Sequence, residues 1–521
     1  MFRKNSLYCL LIIFVLSTLS SAQDISQGIK LLKSEKYEAA KTYFTSLTTN
    51  PKLAPRAYFQ LGELYLMLEK VDSAKICFTK GIEANKEFAL NYCGLIKLNI
   101  LDGNTSEIAK NEELALDYSN EKDPEVYLVM AEGYSKIKDY AKAVPLLNRA
   151  LELNKQYLPA YIALGKINLE KSEGSEAVKN FQKAIDIDGK NPEALTWKAK
   201  IYVLINNYDG AIALLNEAIV ADPTYAPAYN ELAEIYYTKK DYAKAAENYS
   251  LYMDNSEVTL EKKKRLASIL YLSKDYKKAI ELSEELIKTS PDNLYSTRIL
   301  AYSYFRLEDY KNSLNNFQKL FEMPSVDFLA TDYENYGNLL SKTGNDSLAA
   351  IYLTKVVDMD STRKDILSDI SVLYFKNKKW DGVIATLERK NQLKAQEYFD
   401  LGKAYYFTQN YPKADSAFNI LVSKVPELGI AYFWQARVKT NFDPESDQGL
   451  AQPYYEKFLT LAAQDSAKLK KEFIEAYSYL GYYHYIKEDN AKSLEYWLKV
   501  EALDPENAQA KAAIEQMKKK R

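Results

Sequence analysis

Histidine occurs once in the 521 residues, as His484, and cysteine three times, as Cys9, Cys77 and Cys93. Proton transfer near neutral pH leans on histidine, and zinc needs clustered His or Cys, so the inventory argues against both chemistries. Cys77 and Cys93 have no third ligand beside them and form no metal motif. They read as two small buried thiols, with a bridge between them as the alternative. No phosphate-binding glycine loop, nucleophile elbow or zinc spacing is present. The 71 acidic and 69 basic residues fall at solvating positions and leave a net charge of −2. A nucleic-acid binder would carry a basic excess to neutralise phosphates. What remains is a non-enzymatic chain with no metal, no cofactor and no nucleic-acid partner.

The elements that hold these residues follow from composition and pattern. Hydrophobic residues make up 47% and charged residues 27%, which is enough apolar material for packed cores in a chain too long for one. Gly (17) and Pro (15) are few, which disfavours turn-rich β-sandwiches and nucleotide-binding α/β folds. Residues 1–22 read as a secretory signal peptide: Arg3 and Lys4, an apolar run from Leu7 to Leu16, then Ser20-Ser21-Ala22 before Gln23. The run is short for a bilayer span, and Cys9 lacks the small residues that precede a lipoprotein cysteine. No later segment is apolar enough to cross a membrane. The expectation is an exported protein, periplasmic, outer-membrane-associated or secreted.

Periodicity is the dominant feature beyond residue 23. A small residue recurs as Gly28, Gly62, Ala131, Gly165, Ala199, Ala233, Ala267 and Ala301, then as Gly337, Ser371, Gly402, Ala436 and Gly481. A second series runs in step: Ala40, Ala74, Ala143, Ala177, Ala211, Ala245, Ala279, Ser313, Ala349, Ala414 and Ser493. Most steps are 34 residues. Tyr398, Leu401, Gly402, Tyr405, Ala414, Phe418 and Pro426 fit a W-x2-L-G-x2-Y, A-x3-F, P pattern apart from Tyr for Trp, and Tyr58, Leu61, Gly62, Tyr65, Ala74 and Phe78 fit it again. Two helices per period cannot each bury an apolar face alone, so neighbours must stack. Lys-Asp-Tyr at 138–140, 240–242 and 274–276 and Glu-Asp-Tyr at 308–310 mark the turns.

These motifs resemble the tetratricopeptide-repeat (TPR) family over the whole chain after residue 22. The resemblance implies an all-α right-handed solenoid of about fourteen helix pairs with a concave groove lined by the first helix of each. Repeats 1–2 occupy 23–87, a degenerate helical repeat 88–123 and regular repeats 124–440. An irregular repeat with a loop insertion follows at 441–473, the last repeat at 474–507 and a capping helix at 508–521. Carried over by register, the groove residues are Tyr237, Lys264, Tyr271, Arg298, Tyr302, Phe305 and Arg306, then Asn338, Phe399, Lys403, Tyr406, Phe433, Trp434, Arg437, Tyr479 and Tyr482. His484, on the last first helix, takes the place of a packing tyrosine and reads as core.

Aromatic and arginine side chains are common interface anchors. The expected function is therefore an envelope interaction scaffold with a peptide or protein partner in the groove. The alternative is a glycan module in which Trp434 and nearby tyrosines stack on sugar rings, which requires their faces to be open. A recurrent Asp-Ser precedes a small or apolar residue at Ser73, Ser347, Ser416 and Ser466. Helix N-capping is the default reading, and O-glycosylation of these serines is the alternative.

Overall fold

The computed structural model describes residues 25–324 and 326–519; the expected signal peptide, residues 1–22, lies outside them. The described chain holds 29 α-helices, arranged as fourteen consecutive antiparallel pairs and a final single helix, Ala508–Lys519. Among the described residues no helix is long and apolar enough to cross a membrane. The chain divides into two compact units, 1–299 and 300–521.

The pair register rests on close approach. In repeat 2 the helices Ala54–Met67 and Val71–Ala84 cross at Gly62, where an added Cβ would sit 2.2 Å from the fully buried ring of Phe78. Repeat 12, Ala395–Phe407 and Tyr411–Lys424, repeats this with Gly402 against Phe418, where the distance would be 2.7 Å. Aromatic rings thus fill the space that the small residue leaves, which sets both the spacing and the choice of glycine.

The turns inside the pairs are equally regular. A left-handed residue ends the turn, with φ of 60° at Lys138, Lys240 and Glu308 and 67° at Lys274. The Asp that follows caps the second helix. Asp139, Asp241, Asp275 and Asp309 each accept a hydrogen bond from the amide three residues on, at 3.2–3.3 Å. The Lys-Asp-Tyr signal is therefore a left-handed turn, an N-cap and the first packing residue.

The Asp-Ser motif does not cap. Asp72-Ser73 and Asp415-Ser416 lie inside helices whose N-cap positions are Lys70 and Asn410, and Asp346 follows an Asn345 that makes no cap bond. Asp465 ends a 3₁₀ turn. The capping expectation is corrected. Asp415 and Asp346 instead take Lys439 and Lys376, each at 2.8 Å, while the Ser416 hydroxyl donates to the Pro412 carbonyl.

The two irregular stretches have local causes. Residues 88–123 form a complete pair, Leu90–Asp102 and Thr105–Ser119, with Asp102-Gly103-Asn104 as its turn. Gly103 is left-handed and Asn104 caps the second helix. Its first helix is buried on nearly every side, which removes the usual alternation. After the helix Gly429–Phe442, the Asp443 carboxylate accepts the amides of Gln448, Gly449 and Leu450 at 3.3, 2.8 and 3.3 Å. Burial opposes that charge, and these amides outweigh it and hold the carboxyl below its usual range. The inserted loop is wound on one side chain.

Candidate functional site

First helices of successive repeats touch one another along one side of each unit, and second helices pack outside them. A solenoid curves towards its closer-packed row, so the first helices form the inner face. The residue after the small register residue points into this face. In the unit of residues 1–299 it is charged five times, as Glu63, Glu132, Lys166, Lys200 and Glu234.

Each of these charges is paired with another repeat. Lys97 donates to Glu63 at 2.6 Å and to Glu132 at 2.8 Å with its side chain only 9% exposed. Burial works against its ammonium, and Glu132 and Glu63 outweigh it and hold the pKa above the usual lysine value. Arg56 forms a two-pronged pair with Glu125 at 2.7 and 2.6 Å. Lys166 meets Glu193 at 2.8 Å, Lys200 meets Glu231 at 3.0 Å and Arg265 meets Glu234 at 3.1 Å. Burial would raise the Glu193 carboxyl, but Lys166 and Lys33 outweigh it and leave it at about 2. Trp197 lies under Lys200 and Lys166, at 4.5 and 5.0 Å from their ammonium groups. The register groove residues omitted this ladder. Its signal was present in the sequence as charge of both signs at one register position.

Of the expected groove residues in this unit, Tyr237 is half-buried beneath Arg265, 4.2 Å from its ring centre. Lys264 turns to Glu261 on its own helix at 2.8 Å. Tyr271 packs on Tyr276, and Arg298 is half-buried.

The unit of residues 300–521 brings more of the set together. Lys403 lies 4.8 Å from the Trp434 ring, 5.0 Å from Phe375 and 5.4 Å from Phe399. Arg437 lies 4.8 Å from both Phe433 and Trp434 and bonds Glu475 at 2.7 Å. Tyr406 meets the Trp434 edge at 5.4 Å. Among the described residues no carboxylate pairs with Lys403. Burial lowers its pKa and nearby Arg437 adds to this, against an opposing pull from Asp400. The result is a half-buried cation that feels Asp400 at a distance but forms no ion pair among the described residues, held among rings on the inner row.

Several expectations are corrected here. Phe433 is 1% exposed and Trp434 8%, so both are core residues whose size fills the space between repeats. With Lys403 and Arg437 over its ring, Trp434 offers no open face to a sugar. Tyr302 is also buried, and its hydroxyl donates to Asp332 at 2.6 Å. Phe305 is half-buried, Arg306 and Asn338 are exposed, Tyr479 packs 5.0 Å from Tyr455 and Tyr482 is 46% exposed. His484 is buried and stacks on Tyr496 at 5.6 Å, a packing role. Cys77 and Cys93 are free and buried, not bridged; burial pushes both thiols up, which suits inert packing. Among the described residues no group of His, Cys, Asp and Glu is arranged to hold a metal ion.

Family models of the tetratricopeptide repeat match residues 55–88, 124–157, 168–219 and 198–256. The C-terminal part of a TPR repeat-containing protein from Cytophaga hutchinsonii, a solved structure, is 32% identical. That alignment covers 48% of this chain and 99% of the other, with a TM-score of 0.35. The BBSome complex member BBS4 of Bos taurus is 31% identical over 132 residues, 25% of each chain. The TPR repeat-containing protein YpiA of Bacillus subtilis is 22% identical over 35% of this chain and 44% of its own. The chain thus spans less than half the length of either curated relative.

Proposed function

Starting from a chain that belongs to the tetratricopeptide-repeat family, we propose that it is a non-enzymatic interaction scaffold of the cell envelope whose inner first-helix faces hold a peptide or protein. The observation that carries this reading is Lys403. A desolvated ammonium that forms no ion pair among the described residues, on the inner row and beside half-buried Phe399 and Tyr406, is stabilised by an acceptor that a partner brings. The exposed Arg306, Asn338 and Tyr482 extend the same row.

Envelope location rests on residues 1–22 and is part of the proposal. It predicts a native protein that begins at Gln23 in the envelope or secreted fraction. O-glycosylation is proposed at Ser416, the exposed one of the four serines. An unmodified native Ser416 peptide by mass spectrometry refutes that part.

The scaffold reading is tested by capture from native envelope extract. The protein lacking 1–22 is compared with a Lys403→Ala, Arg306→Ala, Tyr482→Ala variant. These positions avoid the buried rings of Tyr302 and Trp434. A specific protein held by the first and lost by the second supports the inner face. Equal capture by both moves the site to the outer helices or to the loop wound on Asp443.

A further inference from the structure

Within the unit of residues 1–299 the first repeat touches repeats far along the chain. Its helices are Ile25–Lys33 and Tyr37–Leu47, and the turn between them lies against residues 191–262. Lys30 pairs with Asp222 at 3.2 Å and Lys33 with Glu193 at 3.0 Å. The Ser34 hydroxyl donates to the Thr224 carbonyl at 2.9 Å. Glu35 holds the centre. Its carboxylate accepts from Tyr252 at 2.6 Å and Lys262 at 3.0 Å, and its carbonyl accepts the Glu257 amide at 3.1 Å.

The Glu257 carboxylate returns the contact by accepting the Glu38 amide at 3.1 Å. That bond has a particular meaning. In repeats 4, 7, 8 and 9 an Asp at the turn caps the second helix. In repeat 1 the N-cap position is Lys36, which makes no cap bond. A carboxylate from 219 residues away supplies a bond to that helix start instead.

The seam differs in kind from the joints between successive repeats. Those joints share apolar cores, as in the cluster that runs from Phe59 to Ile167. At the seam the cores stay separate: Ala40, Phe44, Leu47 and Leu61 belong to one cluster, and Leu195, Tyr225 and Leu232 to another. A cleft of 180 Å³ lies between them, lined by Ile29, Lys30, Lys33, Glu193, Asp222 and Tyr225. The two outer lysines are about half exposed, at 50% and 49%. The central pair is more enclosed, with Lys262 at 15% and Glu35 at 29%, so salt acts first on the two outer pairs, and the joint parts without opening a core.

We propose that this seam is a salt-sensitive latch. Closed, it joins repeat 1 to repeats 6–8 and shuts lateral access to the inner face of this unit. Open, it releases repeat 1 as a folded pair. The access consequence rests on the scaffold reading above, but the latch itself does not.

Hydrogen exchange read by mass spectrometry at single-residue resolution tests it on the full chain after residue 22, with no partner added. The reporters are the Glu257 and Glu38 amides, which the seam alone bonds. Exchange at both is expected to rise about tenfold between 50 mM and 1 M NaCl, and likewise in Lys30→Glu, Lys33→Glu at low salt. Residues 40–47 should keep their protection in both cases. Adding Asp222→Lys to the Lys30→Glu change should restore slow exchange. Unchanged rates at Glu257 and Glu38 across salt and variant would overturn the latch. So would loss of protection over 40–47 in step with the reporters, since repeat 1 would then be unfolding and not releasing. Failed partner capture leaves this result standing, and a failed latch leaves the scaffold reading standing.

Discussion

Replacing Lys97 with Met removes the cation from a buried site that holds two carboxylates. The side-chain exposures are 9% for Lys97, 17% for Glu63 and 46% for Glu132. Breaking a buried ion pair from one side costs about 3–5 kcal/mol, because the partner is left charged in a poor solvent. Glu132 is nearly half exposed and can turn to water, so its share is discounted. The penalty then rests on Glu63, and about 2–3 kcal/mol is expected for Lys97→Met. Glu63→Gln in the same background removes the stranded charge and should recover at least half of the loss, giving a coupling of about 1–2 kcal/mol in a double-mutant cycle. Solenoids unfold by segments, so the assay is urea-dependent hydrogen exchange over residues 90–136, with residues 330–359 as internal control. A Lys97→Met loss under 1 kcal/mol, or a double variant no better than the single one, refutes the reasoning. Either result would mean that Glu63 finds water or a proton without disturbing the pair.

Three further outcomes follow from geometry given above. Gly62→Ala drives a methyl into the Phe78 ring and should destabilise by about 2–3 kcal/mol in the same exchange assay over 54–84; a change under 0.5 kcal/mol contradicts the close-approach account. Lys138 is exposed at φ 60°, so Lys138→Gly should stabilise repeat 4 by about 0.5–1 kcal/mol, and a loss of stability would count against backbone strain there. Glu193 has its carboxyl at about 2 against an ordinary 4.5, so its pairs contribute stability that is complete above about pH 4.5 and is lost as pH falls towards 2. The shift corresponds to about 3 kcal/mol. The advantage of wild type over Glu193→Gln, measured by exchange over 192–221, should shrink across that window, and a pH-independent difference would disprove the linkage.

The helix pairs were legible in the sequence because their register depends on local contact. A small residue opposite a ring, a left-handed turn and an Asp cap all lie within one 34-residue period. The groove was only partly legible. Register placed Lys403, Phe399, Tyr406, Trp434 and Arg437 close in space, but it could not say which rings face inward and which fill the joint between repeats. Phe433 and Trp434 are one residue apart, and both are buried. The Asp-Ser motif misled because Asp is a good cap only where the chain has just turned, and at 72 and 415 the helix has already begun. The seam was not legible at all. Lys30, Glu35, Asp222 and Glu257 look like solvated surface charges, and their pairing depends on curvature accumulated over seven repeats.

The two inner faces are also chemically unequal, and this can be tested without knowing any partner. In the first unit the inner charges are already paired, so an incoming charge must displace one that fits. Lys403 in the second unit has no such competitor. Burial, with Arg437 adding to it, disfavours its ammonium, so its neutral form appears at lower pH than in an ordinary lysine. Lys499, 42% exposed and bonded to Glu495, is shifted the opposite way, chiefly by that bond. Amine acylation consumes the neutral form. Site-resolved acylation as a function of pH should therefore level off at lower pH for Lys403 than for Lys499, whatever their absolute rates. Arg437→Met should move the Lys403 profile towards higher pH by removing a like charge, and leave that of Lys499 in place. Parallel profiles, or a shift downward in the variant, would show that Lys403 is solvated as other lysines are and would remove the feature on which the inner face of this unit is assigned to a partner.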